Sequence, residues 1–336
     1  MRSLSLNPAS LRYCRRLRER RSARDPGPIL LEVALNTHCD QSCGHCSISD
    51  LGSSPSIFPL ELLEGLLLQA RGVDFLTVVF VGGEPTFYPH LTEAIRLASR
   101  GDFFVSLIGN GANMSEVNLD RWAEAGLSAL CLSMHGMHPK THDSFVGLEG
   151  AYRRLMEAFE LLQGYPLDVA ISVTPTRELL KTGEFDEMID FISSRGYALN
   201  FNLPTLVGRA KGSADFLLSE AELARVFEIS KHLKQWSDFY LLGDKRCIAG
   251  KNGIYVGVGG EVFPCAFIHV SYGNIARAPL SRILEKMRSD PFFSKEHCRC
   301  LVAEDPIFVK DYMGPISESG RDFLTAEAHP LLGAEK

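Results

Sequence analysis

Three cysteines stand within eight residues, Cys39, Cys43 and Cys46, directly behind an apolar, β-rich run at 29–36. Thiols this close in a chain without a secretory signal read as metal ligands rather than disulfide partners. The segment must therefore fold as a loop around a common centre, and the run before it must place that loop at one end of a sheet. The alternation downstream says which kind of sheet. Strand-like apolar runs recur at 74–81, 102–108, 128–134, 167–174 and 197–203, and helically spaced runs lie at 59–71, 89–100, 115–126, 150–163, 184–195 and 219–236. Continuous apolar strands separated by helices are βαβ units of a parallel sheet. Six units fall short of the eight that close a full barrel, so the fold class is α/β, a partial (β/α)6 TIM-like barrel with a wide mouth. Ligands in such folds sit at the carboxyl ends of the strands. The cysteine loop and the turn Gly82-Gly83-Glu84-Pro85 both fall there.

Residues 29–236 form this core. Beyond it, short strand runs at 254–258 and 261–265 flank Gly259-Gly260, a hairpin signal. A helix at 279–288 follows, so a small α+β domain is expected over 237–310, then a tail at 311–336. At the other end, residues 1–28 form a basic extension with eight arginines, among them Arg12, Arg15, Arg16, Arg18, Arg20 and Arg21. It is either an organelle transit peptide or a surface helix covering one end of the fold; Glu19 and Asp25, which interrupt the basic run, favour the helix. A net charge of −6 over 336 residues gives no pull toward nucleic acid or anionic membrane. No apolar run reaches the roughly 18 residues of a membrane helix. The expectation is a cytoplasmic protein without nucleic-acid or membrane partners.

The spacing of the first three cysteines leaves two chemistries open. A zinc knot would add His38 or His45 as the fourth ligand. An iron–sulfur cubane, usually held by four thiolates, would keep one iron without a protein ligand. The Gly-Gly-Glu-Pro-Thr turn decides between them. Paired glycines allow close backbone approach, and Glu84 places a carboxylate where a ligand ammonium can bind. A zinc knot explains neither.

THCDQSCGHC and VGGEPTF, in this order and at this distance, resemble the radical SAM superfamily over roughly residues 29–215. The resemblance implies that Cys39, Cys43 and Cys46 hold a 4Fe-4S cluster whose open iron chelates S-adenosylmethionine. It implies that Gly82, Gly83, Glu84 and Pro85 hold the ammonium of that ligand. Electron transfer, from a donor such as flavodoxin or ferredoxin, then releases a 5′-deoxyadenosyl radical that abstracts a substrate hydrogen. His45 stands where the family commonly has an aromatic near the adenine. Asn110 (with Gly111) and Arg209 (in Gly208-Arg209-Ala210) resemble stretches that border the ligand, though an ordinary turn and a surface cation are the plainer readings. Ser133 and His135 end the fourth strand run and so face the mouth, and Ser172 and Thr174 end the fifth, where the family commonly has polar groups facing bound S-adenosylmethionine; the resemblance thus implies Ser133 and Ser172 as ligand-binding residues. His135 is either a proton donor or substrate contact, or a structural histidine. Cys131 is either a small buried hydrophobe or a hydrogen donor that quenches a radical.

Four further cysteines follow, Cys247, Cys265, Cys298 and Cys300. The Cys247-x12-Gly260-x4-Cys265 segment resembles the start of the SPASM/Twitch domain. Four cysteines suffice for one auxiliary 4Fe-4S cluster; a structural zinc site is the alternative. The Cys298-x-Cys300 end departs from the commoner Cys-x-x-Cys, which puts the ligation of Cys298 versus Cys300 in doubt. If one of them is free, the auxiliary iron could bind substrate directly. The resemblance implies an oxidoreductase or maturase acting on a carbohydrate-like small molecule or a peptide, including ribosomal peptide maturation. Peptide maturases commonly carry a folded leader-binding domain at the N-terminus, and the 28 residues before the first strand tilt the expectation toward a small metabolite or a leader-independent peptide. A non-catalytic electron carrier or zinc scaffold is the rival from another class.

Overall fold

The computed structural model describes residues 8–23, 25–51, 56–237 and 245–332. Six parallel strands run in chain order: β1 (Leu30–Ala34), β2 (Thr77–Val81), β3 (Phe104–Gly109), β4 (Ala129–Ser133), β5 (Asp168–Val173) and β6 (Ala198–Phe201). Helices return the chain between them, α2 (Leu60–Gly72), α3 (Leu91–Arg100), α4 (Glu116–Ala125), α5 (Pro139–Val146), α6 (Ala151–Leu162), α7 (Arg177–Thr182) and α8 (Glu184–Arg195), with α9 (Glu220–Ser230) after β6. The strands are mostly apolar because both faces are covered, one by helices and one by the packed barrel interior. Helix α3 shows the outer packing: Leu91, Ala94, Ile95 and Ala98, at helical spacing, are its buried stripe. Helix α4 begins where Ser115 caps the Asn118 amide and ends at Gly126, whose φ is 102°.

Three features differ from the sequence pattern. Helices α5 and α7 carry no clear apolar stripe and escape a periodicity reading. Helix α9 stops at Ser230 rather than near 236, because the Lys234–Trp236 segment pairs with β6: the Leu199 amide donates to Lys234 O and the Trp236 amide to Leu199 O, each at 2.8 Å. The hairpin after residue 245 extends the barrel's own sheet. Strand β7 (Gly253–Val256) lies parallel to β1, with Glu32 opposite Tyr255, and β8 (Glu261–Phe263) returns antiparallel to β7. The domain boundary expected at 237 abuts residues 238–244, which lie outside the described residues. Two short strands, β9 (Val270–Ser271) and β10 (Gly273–Asn274), and helix α10 (Leu280–Ser289) complete this part. The segment after 310 is packed rather than trailing: Tyr312 is fully buried, and its hydroxyl lies 2.5 Å from that of Tyr272.

The basic N-terminal segment is a helix, α1 (Pro8–Arg21), seated on the amino ends of the strands. Leu17 packs with Ile29, Leu30, Leu76 and Val79, and Tyr13 stacks on Phe104 with ring centroids 4.5 Å apart. Arg16 and Arg20 pair with Asp74, and Arg16 also with Asp102. The arginines thus fasten a plug over the closed end of the barrel. Among the described residues no helix is long and apolar enough to cross a membrane.

Candidate active site

The other end of the barrel is open. A cavity of about 320 Å³ there is lined by Cys39, Cys43 and Cys46, by Gly82, Gly83 and Glu84, and by Asn110, Ser133, His135 and Arg209. The fold therefore gathers most of the candidate residues at one place.

The two sequence motifs are stitched to each other by backbone. The Gly83 amide donates to Asn36 O at 2.8 Å and the Glu84 amide to His38 O at 2.6 Å, while Asn36 Nδ2 donates to Glu84 O at 3.0 Å. A Cβ on Gly83 would stand 2.2 Å from His38 O, which only glycine avoids. The paired glycines thus serve the approach of the cysteine loop. That loop is held from two further sides. Arg209 donates from its amide to Cys46 O at 3.1 Å and from Nη1 to Cys43 O at 3.2 Å. Gly208 makes this possible: with φ 57°, its Cβ position would fall 2.0 Å from Cys46 O. Asp40, next to Cys39, pairs with Arg154 Nη1 at 2.7 Å and accepts from Asn110 Nδ2 at 2.8 Å.

Glu84 is fully buried yet lines the cavity. Burial pushes its carboxyl up to about 6, against the opposing hydrogen bonds from Thr86 and Asn110. The Asn110 amide donates to Oε2 at 2.7 Å and the Thr86 amide and hydroxyl to Oε1 at 3.0 and 2.7 Å. A buried carboxylate oriented by three donors and lacking a cation is prepared for one. Burial, then neighbouring thiolate charge, pushes the Cys43 thiol up to about 12; burial pushes that of Cys39 up to about 11, although the Gln41 amide donates to Cys39 Sγ at 3.4 Å. Cationic irons would reverse that penalty. Among the described residues no three His, Cys, Asp or Glu side chains converge on a single ion-sized point.

His135 belongs to a stack. Its ring lies 4.6 Å from those of His45 and Phe145 and 6.2 Å from that of His142, whose Nδ1 accepts from the His135 amide at 3.1 Å. Burial holds His45 and His142 down at about 4 and His135 well below its ordinary value. All three are neutral imidazoles, and Nδ1 of His45 and of His135 is buried without a hydrogen-bond partner.

Three candidates stand apart from the cavity surface. Pro85 is buried behind the turn. Ser172 is 5% exposed and accepts from Asn202, which is itself the cavity-lining group. Cys131 is 2% exposed and packs with Ala170 and Ala198 one layer below Ser133, because residues two apart on β4 share the lumen face. Asn200, which lines the cavity, donates from Nδ2 to Cys131 Sγ at 3.9 Å. Conversely, Glu32, Tyr255, Asn200 and Asn202 line the cavity and were not singled out. The signal was a charged residue within the apolar run LLEVA: a glutamate on a doubly covered strand has only the lumen to face.

The distal cysteines come from three separate stretches. The Cys247 amide donates to His297 O at 2.8 Å, which brings the 247 segment beside the Cys298–Cys300 segment. Cys265 follows β8, and Cys265, Ala266 and Phe267 line the same cavity as the first triad. Burial pushes the Cys265 and Cys300 thiols up, with Cys247 the largest charge acting on each. Amide donors already face these sulfurs, from Phe267 to Cys265 and from Val302 and Ala303 to Cys300. Such N–H···S contacts suit cluster thiolates. Cys298 is exposed.

Comparison with known proteins agrees with this geometry. Residues 33–192 match the model of the Radical SAM superfamily, and residues 247–301 match that of SPASM, an iron-sulfur cluster-binding domain. The chain is 23% identical over 294 residues to the AdoMet-dependent heme synthase of Methanosarcina barkeri, covering 77% of this chain and 82% of the relative. It is 26% identical over 279 residues to the PqqA peptide cyclase of Rhizobium meliloti, covering 76% and 73%. In fold it is similar to Streptococcus suis SuiB bound to precursor peptide SuiA, with a TM-score of 0.65, 16% identity and coverage of 85% and 70%. It is likewise similar to anSMEcpe with bound AdoMet, at 0.61, 18%, 80% and 82%. Residues 33–192 are thus a Radical SAM domain and residues 247–301 a SPASM domain: the protein is an enzyme whose barrel binds a 4Fe-4S cluster together with S-adenosylmethionine and whose carboxyl-terminal domain binds further iron–sulfur.

Proposed function

We propose that the enzyme abstracts a hydrogen atom from a peptide side chain inserted into the cavity between the two cysteine sites. The observation that carries this is the single cavity of about 320 Å³ that touches Cys39, Cys43 and Cys46 on one side and Cys265 on the other. This volume is at the low end for ligand pockets, and one ligand the size of S-adenosylmethionine fills most of it. The substrate then presents one group rather than its whole body. The PqqA peptide cyclase, named for a peptide, and SuiB, whose structure holds the precursor peptide SuiA, support that reading. A carbohydrate-like small molecule is the second reading, favoured by the polar lining of Glu32, Ser133, Thr174, Asn200 and Asn202.

In this assignment Cys39, Cys43 and Cys46 are the thiolate ligands of the first cluster. When bound and reduced, by a donor such as flavodoxin or ferredoxin, that cluster supplies the electron that cleaves S-adenosylmethionine to the 5′-deoxyadenosyl radical. Glu84 pairs with the ligand ammonium, and Gly82 and Gly83 hold the loop in place against it. Asn110 and Arg209 position the loop from either side, and Ser133 lines the wall. His135 and His45 present neutral ring nitrogens that hydrogen-bond ligand or substrate without adding charge. Cys247, Cys265 and Cys300 hold one auxiliary 4Fe-4S cluster in the SPASM domain. Cytoplasmic operation supplies the reducing conditions such clusters need.

Anaerobic reconstitution followed by dithionite and S-adenosylmethionine tests the proposal. About eight irons per chain and release of 5′-deoxyadenosine are expected. Reconstituted protein that forms no 5′-deoxyadenosine would refute it. Mass spectrometry of candidate peptides and of sugars, each incubated with the active enzyme, separates the two substrate readings.

A further inference from the structure

We propose that the Asp40–Arg154 ion pair and the Asn110 side chain set the reduction potential of the first cluster: Asn110 donates to the Cys39 thiolate, and Arg154 cancels the Asp40 charge beside it. This rests on the reading above that Cys39, Cys43 and Cys46 hold a 4Fe-4S cluster.

Both ends of the Asn110 side chain are committed. Its Oδ1 accepts from the Ala112 amide at 2.9 Å, which fixes which end of the side-chain amide is oxygen. Nδ2 therefore faces the cysteine loop. There it donates to Asp40 Oδ1 at 2.8 Å and to Cys39 Sγ at 3.8 Å. A carboxylate and a thiolate thus share one amino group. On reduction the cluster gains negative charge. A donor aimed at a ligating sulfur stabilises that charge and raises the potential. A carboxylate beside the same sulfur lowers it by repulsion. Asp40, next to Cys39 in the chain, would by itself make the cluster harder to reduce.

The other oxygen of Asp40, Oδ2, lies 2.7 Å from Arg154 Nη1. Arg154 reaches it from α6, so the offsetting charge comes from a distant segment. Stability alone would not select this pair. A guanidinium that serves to hold a carboxylate usually makes two parallel N–H bonds to it. Here Nε and Nη2 of Arg154 are buried without a hydrogen-bond partner, which costs stability. What the arrangement keeps is a cation one carboxylate away from the thiolate. Neither Asp40 nor Arg154 lines the cavity. They are positioning residues, and substitutions there leave the cavity wall in place.

Anaerobic redox titration of the reconstituted full chain, followed by electron paramagnetic resonance, tests this. The first cluster's signal is the one that Cys43→Ala lacks. At the potential where the native first cluster is half reduced, Asn110→Ala should lower the ratio of reduced to oxidised cluster about two- to tenfold, the worth of one hydrogen bond. Arg154→Gln should lower it too, because the Asp40 charge is then uncompensated. Asp40→Asn should raise it: Asn keeps an acceptor for Asn110, removes the charge and leaves the Arg154 cation. Asp40→Asn combined with Arg154→Gln should return the ratio to near the native one. Opposite signs from the two members of one ion pair distinguish charge from a loosened loop, which would shift both variants alike. Shifts of the same sign, or native ratios in every variant, would overturn the proposal. So would loss of the first cluster's iron in Asp40→Asn, by showing that the pair only holds the loop. Native protein without a signal that Cys43→Ala removes would refute the cluster reading beneath the proposal instead.

Discussion

The two cysteine sites face one cavity but are built in opposite ways. The first takes three thiols from eight consecutive residues, and the rest of the barrel is arranged to hold that one loop: Gly83 and Glu84 from beneath, Arg209 from one side, Asp40 through Asn110 and Arg154 from the other. The second takes single thiols from segments around 247, 265 and 300, and its assembly depends on a bridge to His297 and on the turn after β8. A local site can be preorganised by loop geometry. A dispersed one forms only when the domain does, so binding and folding are coupled.

The largest expected effect separates the sites outright. Cys43→Ala should drop 5′-deoxyadenosine formation to the uncatalysed background while about four irons per chain remain; persistent cleavage would sink the assignment of the first triad. Next, Cys265→Ala should remove the auxiliary irons and also weaken the SPASM domain, visible as faster amide exchange in β7 and β8, while the barrel stays protected. Equal loss of protection in both parts would show that the two sites are not independent units.

A third prediction tests the prepared carboxylate. Glu84→Gln should weaken S-adenosylmethionine binding by about ten- to hundredfold, matching about 1.5–3 kcal/mol for a hydrogen bond to a charged group. The native carboxyl, raised to about 6, must be ionised to hold an ammonium, so affinity should fall as pH drops through about 6 and stay flat in the variant. A pH-independent native affinity would remove Glu84 from the ligand site.

The smallest effect concerns acid stability. His45 and His142 are held at about 4 in the fold against an ordinary 6.5. Between those values the unfolded chain binds more protons, so stability falls as pH goes from about 6.5 to about 4. The histidines back the first loop and not the second, so acid should loosen the barrel mouth before the SPASM domain. Denaturant midpoints across this window should decline, and His142→Gln should flatten the slope; an unchanged slope would assign the acid sensitivity elsewhere.

The sequence by itself determined what is local or periodic. Spacing identified the first triad and the turn that faces it, and apolar alternation identified six strand–helix units, because neighbours in the chain remain neighbours in such elements. It also placed Ser133 and His135 at a strand end. Only the tertiary structure decided which way isolated side chains point. Cys131 and Ser133 share a strand face, yet one lies beneath the cavity floor and the other in its wall, because depth in the barrel follows position along the strand and the packing of Ala170 and Ala198 sets where the floor lies. Glu32 and Tyr255, 223 positions apart in the sequence, meet only because β7 returns beside β1. Cys298 and Cys300 look equivalent as letters. A bend pinned by His297, which accepts from the Cys247 amide, and by Glu304, which accepts from the Cys300 amide, makes one a surface residue and the other a buried thiol, since side-chain direction there is set by contacts from distant segments.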